Sequence, residues 1–226
     1  MNRSEERPDL TRPDAGTILV SRWNVSTPQH QRAAAEATLG EWDRADRPDA
    51  MLALYALLSL DGDHVLYYAQ WTDDEAHEEF VRTKRPELVR RIDAGVPGIE
   101  RPGLTRYRLH RSCRSDITTR PGLVVGVRFE TDGPVAQKAL ADLVVERLEA
   151  ERVPGMISAN FHLSKDGTKV LNYAEWTDED AYHAFTAGTV SPALRESIDE
   201  IPGVRPKLGE LAQYRMYGSV VNIPAG

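Results

Sequence analysis

Cysteine is almost absent from this chain: Cys113 is the single one in 226 residues. One thiol builds neither a disulfide framework nor a cysteine metal site. Basic runs are missing too, and 28 Lys and Arg stand against 35 Asp and Glu, for a net charge of −7. That balance excludes the electrostatic footprint of a nucleic-acid-binding protein. No apolar run is long enough to span a membrane. The charged, proline-containing start MNRSEERPDLTRPDAG lacks the apolar stretch of a secretory signal. A cytoplasmic protein without a membrane partner is therefore expected. There is also no G-x-G-x-x-G fingerprint, so any flavin would not bind in a Rossmann domain.

What the chain does contain, it contains twice. Residues 65–80 read VLYYAQWTDDEAHEEF and residues 170–185 read VLNYAEWTDEDAYHAF, 105 positions later, with nine of sixteen positions identical. Asp61-Gly62 answers Asp166-Gly167, Met51 answers Met156, and Pro97-Gly98 answers Pro202-Gly203. With one more residue of offset, Gly16 and Arg22 answer Gly122 and Arg128. Such a period is too long for a solenoid repeat and has the size of a small domain. Two domains are expected, over 14–110 and 122–220, joined by a polar surface linker over 111–121.

Each copy reads as β-α-β-β-α-β. Residues 17–25 and 123–130 are rich in β-branched and aromatic residues and predict a strand. Ser26-Thr27-Pro28 and Thr131-Asp132-Gly133-Pro134 each supply an N-cap residue and a proline for the helix that follows. In the second copy that helix has Leu140, Leu143, Val144 and Leu148 at helical spacing; the first has Ala34, Ala37 and Trp42. Two strands joined by Asp-Gly predict a hairpin. Thr72 with Glu75, and Thr177 with Asp180, resemble capping boxes, and the acids at 73, 74, 178 and 179 suit a helix N-terminus. One helix to about residue 92 or 197 is expected next, then a last strand over about 104–110 or 211–217. The fold class is α+β: two tandem ferredoxin-like domains, helices on one face of an antiparallel sheet. The apolar opposite faces are expected to cover each other sheet to sheet, as an intramolecular α+β barrel. Such a pseudo-dimer can stay a monomer.

Strand alternation puts Val170, Asn172, Ala174 and Trp176 on one face. Asparagine is disfavoured in a central strand, and Tyr182 follows on the next helix. An amide, an indole N–H and a phenol can thus converge on an apolar cleft, which suits a planar aromatic ligand. Asn160 and His162 share a strand face and are further candidates for that cleft.

The N-x-x-x-W-x5-Y pattern, with YAEWTDEDAYHAF around it, resembles the antibiotic biosynthesis monooxygenase superfamily of dimeric α+β barrels. The resemblance covers about residues 16–110 and 122–218. In the anthrone oxygenases of that superfamily the asparagine, tryptophan and tyrosine line the substrate pocket. Carried over, these are Asn172, Trp176 and Tyr182, with Arg195 one residue away from the place of a helical arginine. The resemblance implies an oxygenase acting with O2 on an aromatic polyketide or related polycyclic phenol, needing neither metal nor cofactor. An enolate-type substrate can itself donate an electron to O2. Asn172 and Trp176 are neutral donors for its oxyanion, and Tyr182 can orient it or relay a proton. Reduced FMN or FAD supplied from elsewhere is the alternative, and a pocket that binds a small molecule without turnover is another. Haem-degrading members pair the tryptophan with a histidine about ten residues on, where this chain has Val81 and Thr186. In copy one the pocket positions are Tyr67, Trp71 and His77, with Arg90 and Arg91 near the helical arginine. Scaffolding is the expected role of that half, and a pocket retuned around His77 the alternative.

Overall fold

The computed structural model describes residues 7–222, and of 206–210 the backbone alone. The charged start thus lies partly outside the described residues. Two compact units form: unit one is the chain up to Arg106 together with the segment from Arg215, and unit two is Tyr107–Tyr214.

Unit one begins with β1 (Thr17–Asn24), α1 (Pro28–Arg44) and the hairpin β2 (Met51–Ser59) and β3 (His64–Trp71). Then come α2 (Asp74–Thr83), α3 (Arg85–Gly95) and the start of β4 (Leu104–Arg114). Unit two repeats the series as β5 (Leu123–Thr131), α4 (Pro134–Glu151), β6 (Met156–Ser164), β7 (Lys169–Trp176), α5 (Glu179–Ala187), α6 (Val190–Asp199) and β8 (Val204–Val221). In each unit the first strand pairs antiparallel with the third, and the third with the second. The order is ferredoxin-like, α+β, as expected.

Local chemistry accounts for most of these elements. Thr27 caps α1 by accepting from the His30 N–H at 3.1 Å, with Pro28 in the first turn. The hairpin turns place Gly62 and Gly167 at φ of 80° and 79°, where a side chain is strained. A Cβ on Gly62 would lie 2.7 Å from Pro28, and one on Gly167 3.1 Å from Pro134, so each turn also seats a helix start. A buried glutamine then clamps helix to hairpin in both units. Gln31 Nε2 donates to Ser59 O at 3.0 Å and His64 O at 2.7 Å; Gln137 Nε2 donates to Ser164 O at 3.1 Å and Lys169 O at 2.7 Å. These bonds tie the helix to the residues flanking the Asp-Gly turn, where the Ser59 and Ser164 carbonyls also accept from the Gly62 and Gly167 N–H groups.

Several local expectations are corrected. The helix after each tryptophan is two helices. Pro86 has no N–H and its ring would crowd the carbonyl four residues back, so α2 stops at Thr83. Gly188 ends α5, and Pro192 lies in the first turn of α6. The caps are Asp73 and Asp178, not the threonines: each carboxylate accepts from the N–H three residues on, at 2.7 and 2.8 Å. At α4 the cap position is Gly133, without a side-chain bond, while Thr131 donates to Gly167 O. The expected 111–121 linker begins inside β4, because Tyr107–Arg114 satisfies the exposed edge of β6, from Tyr107 against Ser164 to Arg114 against Ser158. The boundary therefore falls at Tyr107, and the end of β8 belongs to unit one, where Asn222 N donates to Leu52 O.

Unit one's core joins Leu19, Leu54, Val65 and Trp71 of the sheet to Ala35, Leu39 and Trp42 of α1. Unit two's joins Val125, Phe161, Val170 and Trp176 to Leu140, Val144 and Leu148 of α4. No helix among the described residues is long and apolar enough to cross a membrane.

Candidate functional site

In unit two a cavity of about 130 Å³ opens between the sheet and α4, α5 and α6. Its floor is built by alternation: Asn172, Ala174 and Trp176 from β7, with Ala159 and Phe161 from β6. Ala159 and Ala174 are register partners, so two methyl groups leave a flat centre. Asn172 and Trp176, four residues apart on an extended strand, stand at its two ends, about 13 Å apart along the backbone.

Trp176 is anchored at the end of β7. It lies opposite Met156 and Leu123 in the ladders, and the Gly122 N–H donates to its carbonyl at 3.0 Å. Tyr182 of α5 meets the indole edge-on at 5.4 Å between ring centres, and Phe185 covers it at 5.2 Å. Indole and amide share a rare condition. Trp176 Nε1 and Asn172 Oδ1 are buried, and neither has a hydrogen-bond partner among the described residues. Burying such groups unpaired costs about 1–3 kcal/mol each. The Tyr182 phenol is held above its ordinary pKa by burial, against the opposing pull of Arg195. Arg195 of α6 lines the cavity with an exposed side chain and makes no ion pair among the described residues. The four residues Asn172, Trp176, Tyr182 and Arg195 are thus brought together.

Asn160 and His162 are not with them. Asn160 pairs with Tyr173 rather than Asn172 and so points to the opposite face of the sheet. There it donates to Ser158 Oγ and Tyr173 O and accepts from Ser112 Oγ. His162 Nδ1 lies 3.0 Å from Asn160 O, and burial presses its pKa down to about 4. Both are structural polar groups. The hairpin register, fixed by the Asp-Gly turn, is the sequence signal that could have separated them from Asn172.

Unit one holds a larger cavity, of about 310 Å³, lined by Tyr67, Trp71 and His77. Tyr67 does not fill the space. Its hydroxyl turns to α1, 2.9 Å from Thr38 Oγ1 and 3.1 Å from Ala34 O. His77 packs edge-on against Trp71 at 5.0 Å. Its Nδ1 lies 3.0 Å from an Arg106 nitrogen; a guanidinium only donates, so Nδ1 accepts and the ring proton sits on Nε2. Burial first, then Arg106 and Arg85, hold the His77 pKa down at about 4. Arg90 and Arg91 do not reach the cavity: they pair with Glu87 and Glu41 on the surface. The arginines that do line it, Arg85 and Arg101, were not singled out in sequence, although Arg85 faces Val190 across the repeat.

The His77 environment has a consequence for stability. Below pH 6.5 the unfolded chain binds a proton that folded His77 refuses until about pH 4, so stability is lost as pH falls through that window. The thermal midpoint of the wild type should therefore drop more between pH 6.5 and 4 than that of His77→Leu. Parallel profiles would mean that folded His77 takes the proton.

Among the described residues, one group brings metal-ligand atoms within 4.8 Å of one another: Asp61, Asp63 and His64 in the unit-one hairpin. His64 is bonded to Asp63 there, and none of the three lines either cavity.

Residues 122–196, all in unit two, match the model of a family described as antibiotic biosynthesis monooxygenase. Tetracenomycin-F1 monooxygenase of Streptomyces glaucescens is 37% identical over 94 residues, which is 40% of this chain and 81% of that protein. The crystal structure of an anthrone oxidase-like protein superposes with a TM-score of 0.74 at 16% identity, over 92% of this chain and 94% of that one. A monooxygenase-like protein of Listeria innocua does so at 0.50 and 14%, over 90% and 96%. At these identities the two structures speak for the fold alone. The relative from Streptomyces glaucescens, matched over most of its length, decides the family: this chain belongs to the antibiotic biosynthesis monooxygenases.

Proposed function

We propose that unit two is the active site of this monooxygenase and that its substrate is an aromatic polyketide or related polycyclic phenol oxidised through an enolate-type anion. The observation that carries this reading is the pair of buried, unpartnered polar atoms, Trp176 Nε1 and Asn172 Oδ1, at the ends of an apolar floor. One is a donor and the other an acceptor. A flat polycyclic system lying over Ala159 and Ala174 would meet both, with a carbonyl or enolate oxygen at the indole and a phenolic O–H of an adjoining ring at the amide. At about 130 Å³ the cavity is close in size to the about 150 Å³ that holds one benzene ring, so it has room for the reactive ring alone. Further rings extend past Leu211, which is partly exposed and lines the cavity.

The chemistry follows from the substrate's acidity. Loss of a proton from a methylene beside the rings gives an enolate, whose oxygen Trp176 Nε1–H stabilises as charge builds there. Electron transfer from that anion to O2 and recombination form a carbon–oxygen bond. Cleavage of the O–O bond with loss of the second C–H proton leaves a carbonyl and water. Methylene plus O2 gives carbonyl plus water, with all four electrons accounted for, so the reaction is proposed to run without metal or cofactor. Tyr182, kept protonated by its raised pKa, orients the ring system and can hand on a proton. The protein's further part is to exclude water from the anion.

Oxygen consumption with 1,8-dihydroxyanthrone, with and without reduced FMN, tests this. Uptake without flavin, with quinone as product, is the expected result. Uptake that requires reduced flavin would keep the substrate class and overturn the cofactor-free reaction. No uptake in either case would reduce unit two to a binding site.

A further inference from the structure

Unit one's cavity is not a copy of unit two's. It is more than twice as large, about 310 against 130 Å³, and reaches the lower end of the about 300–1,000 Å³ range of small-molecule sites. Its walls are aromatic: Trp23, Trp42, Trp71 and Phe80 line it with Tyr67 and His77. Trp42 and Phe80 stack at 4.9 Å, and Trp71 stands edge-on to Trp42 at 6.3 Å. Flat apolar walls of this kind favour a planar ring.

The polar groups differ as well. Three arginines lie at or beside this cavity, and two are compensated. Arg106 pairs with Asp74 at 3.0 Å, and Arg101 with Asp93 at 2.7 Å while stacking on Trp23 at 4.1 Å. Arg85 is half-buried in the cavity wall and forms no ion pair among the described residues. The carboxylate whose field reaches it, Asp93, is already bonded to Arg101. Arg101 adds a buried Nε without a hydrogen-bond partner among the described residues. A half-buried cation with no counter-ion is costly to keep, and burial followed by Arg101 is what weighs against its charge. Val190 holds the matching place in the repeat, and the arginine that lines unit two's cavity, Arg195, is exposed rather than half-buried.

We propose that the cavity of unit one is a second ligand site, for a planar aromatic monoanion such as a carboxylated polycyclic phenol, whose anionic group is held by Arg85 and whose rings lie against Trp71 and Trp42. The site is independent of the oxidation proposed for unit two. The neutral His77, with its proton on Nε2, adds a donor to the same wall.

Calorimetric titration of the full chain compares 1,8-dihydroxyanthraquinone-3-carboxylate with uncharged 1,8-dihydroxyanthraquinone. The carboxylate should bind at least about tenfold more tightly. Arg85→Met, which keeps an unbranched stem and removes the guanidinium, should weaken the carboxylate about tenfold or more and leave the uncharged ring within about twofold, a charge-assisted hydrogen bond being worth that much. Arg82→Met, at an exposed arginine of α2 outside the cavity, should change neither. Ala174→Leu fills the unit-two floor and should leave carboxylate binding intact. Equal affinity for the two probes, no saturable carboxylate binding, or an Arg85→Met protein that binds as the wild type does would overturn the proposal. So would carboxylate binding that Ala174→Leu abolishes. Thermal melting of each variant verifies the fold, and if Ala174→Leu does not fold, the Arg85→Met and Arg82→Met comparison alone decides.

Discussion

Trp176→Phe should lower kcat for the anthrone about 100-fold while KM changes little, because it removes one hydrogen-bond donor and keeps the ring that packs the cavity. A single oxyanion donor is worth about that much in a water-excluded site. The packing argues for the clean readout: Tyr182 and Phe185 touch the indole through its rings, at 5.4 and 5.2 Å between centres, and phenylalanine retains an aromatic face for both. Asn172→Leu supplies the complementary result. Its Oδ1 is buried without a partner among the described residues, so leucine removes an unmet acceptor. Oxygen uptake should fall while stability holds, or rises by up to about 1 kcal/mol. Loss of activity with retained or improved stability is the mark of a group kept for a ligand rather than for the fold. If Asn172→Leu destabilises unit two, or if Trp176→Phe leaves uptake unchanged, the site has been misassigned.

The largest stability effect is expected from Gly122→Ala. A Cβ there would sit 2.3 Å from the carbonyl oxygen of Thr177, a backbone atom that cannot swing aside. The Gly122 N–H donates to the carbonyls of Trp176 and Thr177, both at 3.0 Å, so this close approach fastens the start of β5 to the end of β7. A Cβ on Gly16 would clash with Thr72 O in the same way, which explains why both copies carry the glycine. Relief of the clash must separate the strands at the point that fixes Trp176. Unit two should lose about 2–3 kcal/mol, or roughly 10–20 °C in Tm for a domain of this size. Calorimetric melting checks it, and a change under about 3 °C would show that the backbone there gives way at little cost.

Much of this was legible beforehand because it is local. The Asp-Gly turns, the threonine and proline at the start of α1, the strand alternation around Trp176 and the duplication itself depend on neighbours a few residues away. The misreadings show where locality ends. The caps shifted by one residue, to Asp73 and Asp178, because aspartate caps as well as threonine does and its carboxylate reaches the N–H of Ala76 and of Ala181. One helix became two where Pro86 and Gly188 interrupt it. β4 ran on to Arg114 because the edge of β6, distant in sequence, offered it hydrogen bonds. Asn160 and His162 share a face as expected, but pairing with Tyr173 and Leu171 turned that face away from the cavity.

The sequence by itself determined that the chain is one α+β fold written twice, and that Asn172, Trp176 and Tyr182 in the second copy form a group the first copy lacks. Periodicity and turn chemistry are short-range, and identity across the repeat needs no coordinates. Only the tertiary structure decided that the amide and indole are buried without partners, and that Tyr67 turns to α1 and leaves unit one a cavity. It also decided that Arg85, rather than Arg90 or Arg91, enters that cavity. Hydrogen-bond satisfaction and enclosed volume are sums over all the atoms around a site, and packing brings those atoms from seven separate elements in each unit.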